Sequence, residues 1–150
     1  MNRRRIRFGI VGCGRISSFH IDAIAKNQDR AFVAAVCDII PERARAASES
    51  AGGVPYYVSI DEMLAAGGLD CVSICTPSGL HPVHGIQAAA AGCHVVSEKP
   101  IGIDLESIDR LIEACRSSDR LLFTVLQNRL NPTVVLMRQA LERGRFGKLL

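Results

Sequence analysis

The chain has 150 residues, of which 48% are hydrophobic and 22% are charged, and its formal net charge is +3. This length suffices for one domain with a buried core, and the composition excludes intrinsic disorder. The weak charge, the few aromatic residues and the lack of an RNA-binding or helix-turn-helix pattern predict no nucleic-acid partner.

The first half of the chain alternates short apolar runs with segments of helical periodicity, a pattern typical of a parallel sheet covered by helices. The first run leads through a glycine turn into a helix, and the second run ends at Asp38. Pro41 suits the first turn of the next helix, where its missing N–H has no partner to lose. The predicted elements are strands at 6–11, 32–37 and 56–58, and helices over 16–24, from 41 to 52 and over 60–66.

The second half repeats the alternation and completes the sheet. Asp104 is the predicted N-cap of a helix with a buried apolar stripe. The predicted elements are strands at 71–75, 94–97 and 121–126, and helices over 82–91, from 105 and from 131 to about 144. Six strands joined by crossovers predict an α/β doubly wound parallel sheet, a Rossmann fold, in the order 3-2-1-4-5-6. Residues 1–146 are the predicted dinucleotide-binding domain, and 147–150 are expected to begin a further strand and a truncated second domain.

The six cysteines are scattered without a Cys-x-x-Cys pair, and most fall inside apolar segments. Free cysteine in such segments behaves as a small hydrophobe, so we expect neither a metal site nor a disulfide framework. No apolar stretch approaches the roughly 18 residues of a membrane span, and the N-terminus lacks the apolar core of a secretion signal. The sequence therefore predicts a cytoplasmic protein with no membrane association.

A glycine-rich turn follows the first predicted strand. Its sequence, Gly12-Cys13-Gly14-Arg15-Ile16-Ser17, matches the dinucleotide pattern G-x-G-x-x-G except for serine in the third glycine position. The first glycine permits a tight turn, the second lets a pyrophosphate approach the backbone, and the helix N-terminus beyond them supplies unpaired N–H donors. The third glycine serves close helix–strand packing, so a small serine is a tolerable replacement. Residues 12–16 are the predicted cofactor-binding turn, and the alternative is a purely structural glycine turn.

Asp38 ends the second predicted strand, 24 positions after Gly14. A carboxylate there can accept hydrogen bonds from both hydroxyls of an adenine ribose and repels a 2′-phosphate, which predicts NAD rather than NADP. Arg43 in the following helix could soften that preference. The alternative is a solvated strand-end aspartate that begins a turn.

A small polar loop, Thr76-Pro77-Ser78-Gly79-Leu80-His81, follows the fourth predicted strand at the same edge of the sheet. Such a loop can lie along the nicotinamide ribose, although Pro-Ser-Gly is also ordinary turn chemistry. His81 either bonds to a ribose or phosphate of the cofactor or simply begins the next helix. Structural roles are expected for the other histidines, at positions 20, 84 and 94.

Lys99 follows the fifth predicted strand within Glu98-Lys99-Pro100. Ligands of open α/β sheets bind at the carboxyl ends of the strands, so this lysine is placed beside the predicted crevice. A lysine next to a bound nucleotide is suited to proton transfer. The alternative is a strand-end lysine that points to solvent.

These motifs, in this order and spacing, resemble the N-terminal domain of the Gfo/Idh/MocA family of NAD(P)-dependent sugar dehydrogenases, and the resemblance covers essentially all of the chain. It implies a Rossmann domain followed by a second α+β domain that is absent from this chain. It also implies that Lys99 is catalytic, bonding to the sugar hydroxyl being oxidised and assisting its proton transfer. Glu98 and residues 76–78 would line the NAD cofactor, with Ser78 standing where the family usually has asparagine.

The segment Gln127-Asn128-Arg129, after the sixth strand, resembles the family branch that acts on UDP-linked amino sugars, including their uronic acids. This resemblance implies that Gln127 or Asn128 contacts the nicotinamide ribose and that Arg129 meets an anionic substrate or, alternatively, caps the following loop. A homo-oligomer is implied for the full-length protein. Two other functions remain open: a non-catalytic NAD(H)-binding regulatory domain, and a family dehydrogenase for inositol or another simple sugar.

Overall fold

The structure is a computed structural model that describes residues 4–148. A six-stranded sheet forms its centre, and the strand order β3-β2-β1-β4-β5-β6 confirms the predicted fold. The strands are β1 (Ile6–Val11), β2 (Ala31–Cys37), β3 (Tyr56–Tyr57), β4 (Cys71–Ile74), β5 (His94–Ser97) and β6 (Leu122–Thr124). The helices are α1 (Arg15–Ala25), α2 (Pro41–Ser50), α3 (Ile60–Ala66), α4 (His81–Ala90), α5 (Leu105–Ser117) and α6 (Pro132–Glu142), with short 3₁₀ helices at Ser78–Leu80 and Gln127–Leu130.

The sheet is parallel throughout, and its central strands are aligned at their carboxyl ends. Val11 pairs with both Cys37 of β2 and Ile74 of β4, and Ile74 pairs with Ser97 of β5. The chain proceeds from β1 towards one edge and from β4 towards the other, so the two strands flank the point where the strand order reverses. A crevice forms at this point in open α/β sheets.

Helices cover both faces of the sheet, which explains why its central strands are apolar almost throughout. Ile10 and Val36 belong to a cluster that packs with Ile21 of α1 and Ala47 of α2. The larger cluster contains strand residues together with Met63 of α3, Ala88 of α4 and Leu111 of α5. The strand ends beneath the crevice are therefore held from both sides.

The element bounds differ from the predicted ones mainly at the sheet edge. Strand β6 covers three residues instead of the predicted 121–126, because β5, its one partner within residues 4–148, ends at Ser97 opposite Thr124. Asp104 is the N-cap of α5 as predicted, and its carboxylate accepts a hydrogen bond from Ser107 N at 2.7 Å. Of the strand predicted at 147–150, residues 147 and 148 are not in a strand, and the other two lie outside the described residues.

No helix within residues 4–148 is long and apolar enough to cross a membrane. The same residues contain no group of three or more histidine, cysteine or acidic side chains arranged to hold a metal ion. All six cysteines are free thiols.

Candidate functional site

A cavity of about 390 Å³ lies at the carboxyl ends of β1, β2 and β4. Its walls include Gly12 and Gly14 of the glycine turn, Asp38, and the start of the Thr76-Pro77 loop. A second hollow, of about 330 Å³, lies on the surface between α2 and Tyr56 and contains none of the predicted site residues. The topology thus brings the first three sequence motifs together in one crevice.

Gly12 is required by the way the turn packs against β4. Its φ is +88°, and a Cβ at this position would lie 2.7 Å from both the carbonyl carbon of Cys75 and the amide nitrogen of Thr76. Residues with a Cβ rarely adopt such a φ, and moving the backbone atoms of residues 75 and 76 away from a Cβ would distort the strand end at a high cost in free energy. The close approach of β1 and β4 at the crevice therefore depends on glycine.

Gly14 serves a different purpose, because a Cβ there would meet nothing within 4 Å. It is the N-cap of α1 and has no side chain to bond the first N–H groups of the helix. Ser17 is the third residue of that helix and is 3% exposed. Its hydroxyl donates a hydrogen bond to the Gly14 carbonyl oxygen at 2.6 Å. The serine that replaces the third glycine is thus small enough to be buried and has its polar group satisfied.

Asp38 is 8% exposed, and its carboxylate supports the glycine turn. One oxygen accepts a hydrogen bond from Cys13 N at 2.7 Å, and the other accepts from Ile40 N at 2.9 Å. Each carboxylate oxygen can accept at least one further donor. Asp38 therefore has a fixed orientation and keeps the capacity to bind ribose hydroxyls.

These features fit a dinucleotide. The open space above Gly14 and the uncapped N–H groups of α1 suit a pyrophosphate, which helix N-termini attract. The fixed carboxylate of Asp38 lies in the same cavity. The spacing of the glycine turn and Asp38 predicted this combination from the sequence, and the fold assembles it.

His81 and His84 exchange the roles expected from the sequence. His81 begins α4 and is 1% exposed, and its two ring nitrogens lie 2.7 Å from the carbonyl oxygens of Thr76 and Pro100. Neither nitrogen is free to bind a ribose or phosphate, so the prediction of a cofactor contact is corrected to the alternative of a helix start. His84 lines the cavity instead and bonds to Thr76 Oγ1 at 3.0 Å. Burial lowers the pKa of His84, and nearby His81 adds to that effect.

Glu98 and Lys99 differ sharply in exposure. Glu98 is 6% exposed. One oxygen of its carboxylate lies 3.0 Å from His20 Nε2, and the other accepts a hydrogen bond from Lys99 N at 3.1 Å. The Lys99 side chain is exposed, two positions beyond the end of β5. Lys99 thus presents its terminal amino group at the carboxyl edge of the sheet, and Glu98 supports the backbone beneath it.

The segment 127–129 lies after the edge strand β6 and does not line the cavity. Its three residues fall in the 3₁₀ helix Gln127–Leu130 and are all exposed. Within residues 4–148 the Arg129 guanidinium makes no hydrogen bond, so capping of the following loop by this side chain is not seen. The segment follows β6, which is the edge strand next to β5 and lies at the opposite edge of the sheet from β3.

The cysteines at the crevice are protonated at neutral pH. Burial raises the pKa of Cys13 to about 12, and the nearby Asp38 carboxylate raises it further. Burial likewise raises the pKa of Cys37 to about 11 and that of Cys75 to about 12. Thiolate, not thiol, is the reactive form, so these side chains are chemically inert.

We expect iodoacetamide to alkylate Cys13 in the folded protein on the order of a thousandfold more slowly than free cysteine at pH 8, because a raised pKa leaves little thiolate. The rate should rise about tenfold per pH unit up to the pKa, as the thiolate fraction grows. Mass spectrometry of the labelled peptides measures the rate, with urea-unfolded protein as the control. Labelling of Cys13 at the free-cysteine rate would contradict the buried, protonated thiol.

Comparison with known proteins places the chain among oxidoreductases. Residues 6–126 match the sequence profile of an oxidoreductase family with an NAD-binding Rossmann fold, Gfo/Idh/MocA. One solved structure is the WlbA dehydrogenase from Bordetella pertussis in complex with NADH and UDP-GlcNAcA. Its sequence is 47% identical to this chain and its TM-score is 0.93, and the match covers 99% of this chain and 42% of that one. The crystal structure of the WlbA dehydrogenase from Chromobacterium violaceum, bound to the same two molecules, shows 41% sequence identity and a TM-score of 0.93, and the match covers 98% of this chain and 42% of that one.

Among characterised sequences, the myo-inositol 2-dehydrogenase of Thermotoga maritima is 32% identical over 143 residues, which are 95% of this chain and 42% of that protein. The chain therefore spans less than half the length of the relatives that it matches.

Proposed function

This chain belongs to the Gfo/Idh/MocA family of NAD-binding oxidoreductases, and from that premise we propose that it forms the cofactor-binding half of a dehydrogenase that oxidises a sugar hydroxyl. The preferred substrate is a UDP-linked amino sugar, in particular its uronic acid, oxidised at C3. The observation that carries this proposal is the 47% identity, over nearly the whole chain, to a protein crystallised with NADH and UDP-GlcNAcA. The crevice, with its uncapped helix end and fixed carboxylate, supplies the matching chemistry.

Each site residue has a role in the proposed reaction. The N–H groups at the start of α1 bind the pyrophosphate, and Asp38 accepts from the adenine ribose. Bound NAD supplies the hydride acceptor. Lys99 bonds to the hydroxyl that is oxidised and takes its proton, a task for which its exposed amine stands at the correct edge of the sheet. Arg129 is the proposed partner of the substrate carboxylate.

The cofactor preference follows from Asp38. A 2′-phosphate would face a buried carboxylate already held in place by two backbone N–H groups, and like charges in contact repel strongly. We expect NADH to bind at least about tenfold more tightly than NADPH, which corresponds to roughly 1.4 kcal/mol. Fluorescence titration of both nucleotides measures the ratio.

Arg43 lines the same cavity and is the only guanidinium that does so among the described residues. Arg43→Ala should therefore widen the preference for NADH, because it removes the positive charge that would offset a 2′-phosphate. Arg45→Ala is the matched control, since Arg45 is paired with Glu49 on the outer surface of α2. Equal affinity for the two nucleotides in the unmodified protein would overturn the role given to Asp38.

A second substrate class is favoured by one observation, the 32% identity to an inositol dehydrogenase. The protein made from its complete reading frame should be assayed for NADH formation with UDP-GlcNAcA, UDP-GlcNAc and myo-inositol. The proposal expects the highest kcat/KM for UDP-GlcNAcA. A preference for myo-inositol would replace the substrate, and NADH binding without turnover of any sugar would support a regulatory domain.

A further inference from the structure

Two histidines from different helices, His81 fully buried and His20 with 13% of its side chain exposed, hold the segment that carries Lys99. His20 of α1 contacts the Glu98 carboxylate, and His81 of α4 contacts the Pro100 carbonyl. Glu98 and Pro100 are the two chain neighbours of Lys99. The side chain of Lys99 is itself exposed, so its position depends on how these neighbours are held.

The His20 contact has a defined hydrogen-bond direction. A carboxylate only accepts, so His20 Nε2 carries a proton and donates to Glu98 Oε1 at 3.0 Å. The hydroxyl of Ser73, which is 1% exposed on β4, lies 2.7 Å from His20 Nδ1 and donates to it in the neutral ring. The other carboxylate oxygen accepts from Lys99 N at 3.1 Å. The bonds thus run in one direction from Ser73 through His20 to Glu98, and Glu98 joins them to the Lys99 backbone.

The His81 contact lies on the other side of Lys99. Its Nδ1 is 2.7 Å from the Pro100 carbonyl oxygen, and its Nε2 is 2.7 Å from the Thr76 carbonyl oxygen. A neutral ring can donate to one of these carbonyls, and the imidazolium to both. The ring is fully buried, so water does not compete for either position. Through it, the Thr76 loop of the cofactor cavity is tied to the residue after Lys99.

We propose that His20 and His81 form a clamp that positions Lys99 against the cofactor, an inference that rests on the proposed role of Lys99 in proton transfer. Each half connects Lys99 to an element that builds the cofactor site. His20 belongs to α1, the helix whose N-cap is Gly14, and His81 bonds to the Thr76 loop. The two histidines are positioning residues, because they bond to protein groups and not to the reacting atoms. Reaction rates are sensitive to displacements of about 1 Å in such groups.

Backbone NMR can observe each half of the clamp separately in the protein made from its complete reading frame. Glu98-Lys99 is the single Glu-Lys pair in this sequence, and Pro100-Ile101 is its single Pro-Ile pair. Carbonyl labelling of the first residue type and amide labelling of the second restrict the spectrum to such pairs, which include the Lys99 amide and the Pro100 carbonyl. Lys99→Arg and Ile101→Val identify the two signals by their disappearance.

The clamp predicts a specific response of each signal. His20→Leu should shift the Lys99 amide, because it removes the N–H group that donates to Glu98. His81→Phe should shift the Pro100 carbonyl, because it removes the ring nitrogen that contacts this carbonyl. His20→Gln retains an N–H group for Glu98 and should restore most of the Lys99 signal. Ser73→Ala removes only one hydroxyl and therefore disturbs the packing less than His20→Leu, and it should give an intermediate shift. An unmoved Lys99 amide in His20→Leu or Ser73→Ala, or an unmoved Pro100 carbonyl in His81→Phe, overturns the corresponding half.

Kinetics then separate positioning from folding. His20→Leu should lower kcat by about tenfold or more, with NADH affinity within about twofold and with recovery in His20→Gln. His94→Leu is the matched control, since His94 accepts from Leu121 N at the opposite end of β5 and should leave kcat and both signals unchanged. An unchanged kcat in His20→Leu overturns the positioning role. If the unmodified protein oxidises no sugar, the proposed function fails, and the two NMR signals still decide whether the clamp exists.

Discussion

Lys99→Ala should lower the turnover of the complete enzyme by roughly 10²–10⁴-fold, the range that a positioned proton-transfer group contributes. Lys99 is exposed at the carboxyl edge of β5 and outside the cavity at Gly12 and Asp38. We therefore expect NADH affinity to change by no more than about twofold, because the lost interaction belongs to the chemical step. Steady-state rates with the preferred sugar and fluorescence titration with NADH measure the two quantities.

Two further variants decide what Lys99 contributes. Lys99→Arg keeps the positive charge but cannot give up a proton, so a purely electrostatic role would be largely preserved and proton transfer would be lost. Lys26→Ala is the matched control, because Lys26 is an exposed lysine at the C-terminal end of α1. Undiminished activity in Lys99→Ala would refute the proposed role. Near-normal activity in Lys99→Arg would restrict that role to electrostatics.

Gly12→Ala should destabilise the fold and abolish NADH binding together. A Cβ at this position meets backbone atoms of residues 75 and 76 at 2.7 Å and requires a φ of +88°. Backbone strain and overpacking of this kind cost roughly 3 kcal/mol or more in the free energy of unfolding. The turn can relieve the clash only by moving away from β4, and that movement opens the cavity. Chemical denaturation measures the free energy, and fluorescence titration measures NADH affinity.

Two other glycines separate these effects. Gly14→Ala has no clash and should change the free energy of unfolding by about 1 kcal/mol or less. It should nevertheless weaken NADH binding, because its methyl group enters the open space at the start of α1 that suits the pyrophosphate. Gly52 has a φ of +93°, a Cβ there would meet nothing within 4 Å, and the residue does not line the cavity. Gly52→Ala should therefore cost about 1–2 kcal/mol in the free energy of unfolding without changing NADH affinity. Wild-type NADH affinity in Gly12→Ala would show that the close approach to β4 is dispensable.

The histidines show where reasoning from sequence reaches its limit. His81 follows a polar loop at the crevice edge, and this position made it a candidate for a cofactor contact. In the structure its ring is buried between two carbonyl groups, and His84, one helical turn later, lines the cavity. Position in the chain indicates which edge of the sheet a residue approaches, whereas the direction of its side chain depends on how α4 packs.

The sequence by itself determined the order of the elements, the glycine turn, and the location of Asp38 and Lys99 at the carboxyl edge. These depend on periodicity, turn chemistry and strand ends, which are local properties of the chain. The tertiary structure alone decided the pairing of His20 with Glu98, which are 78 residues apart, and the burial of His81 against Pro100. Such contacts depend on the packing of α1 and α4 against neighbouring strands, and no local pattern encodes which distant polar groups that packing brings within hydrogen-bond distance.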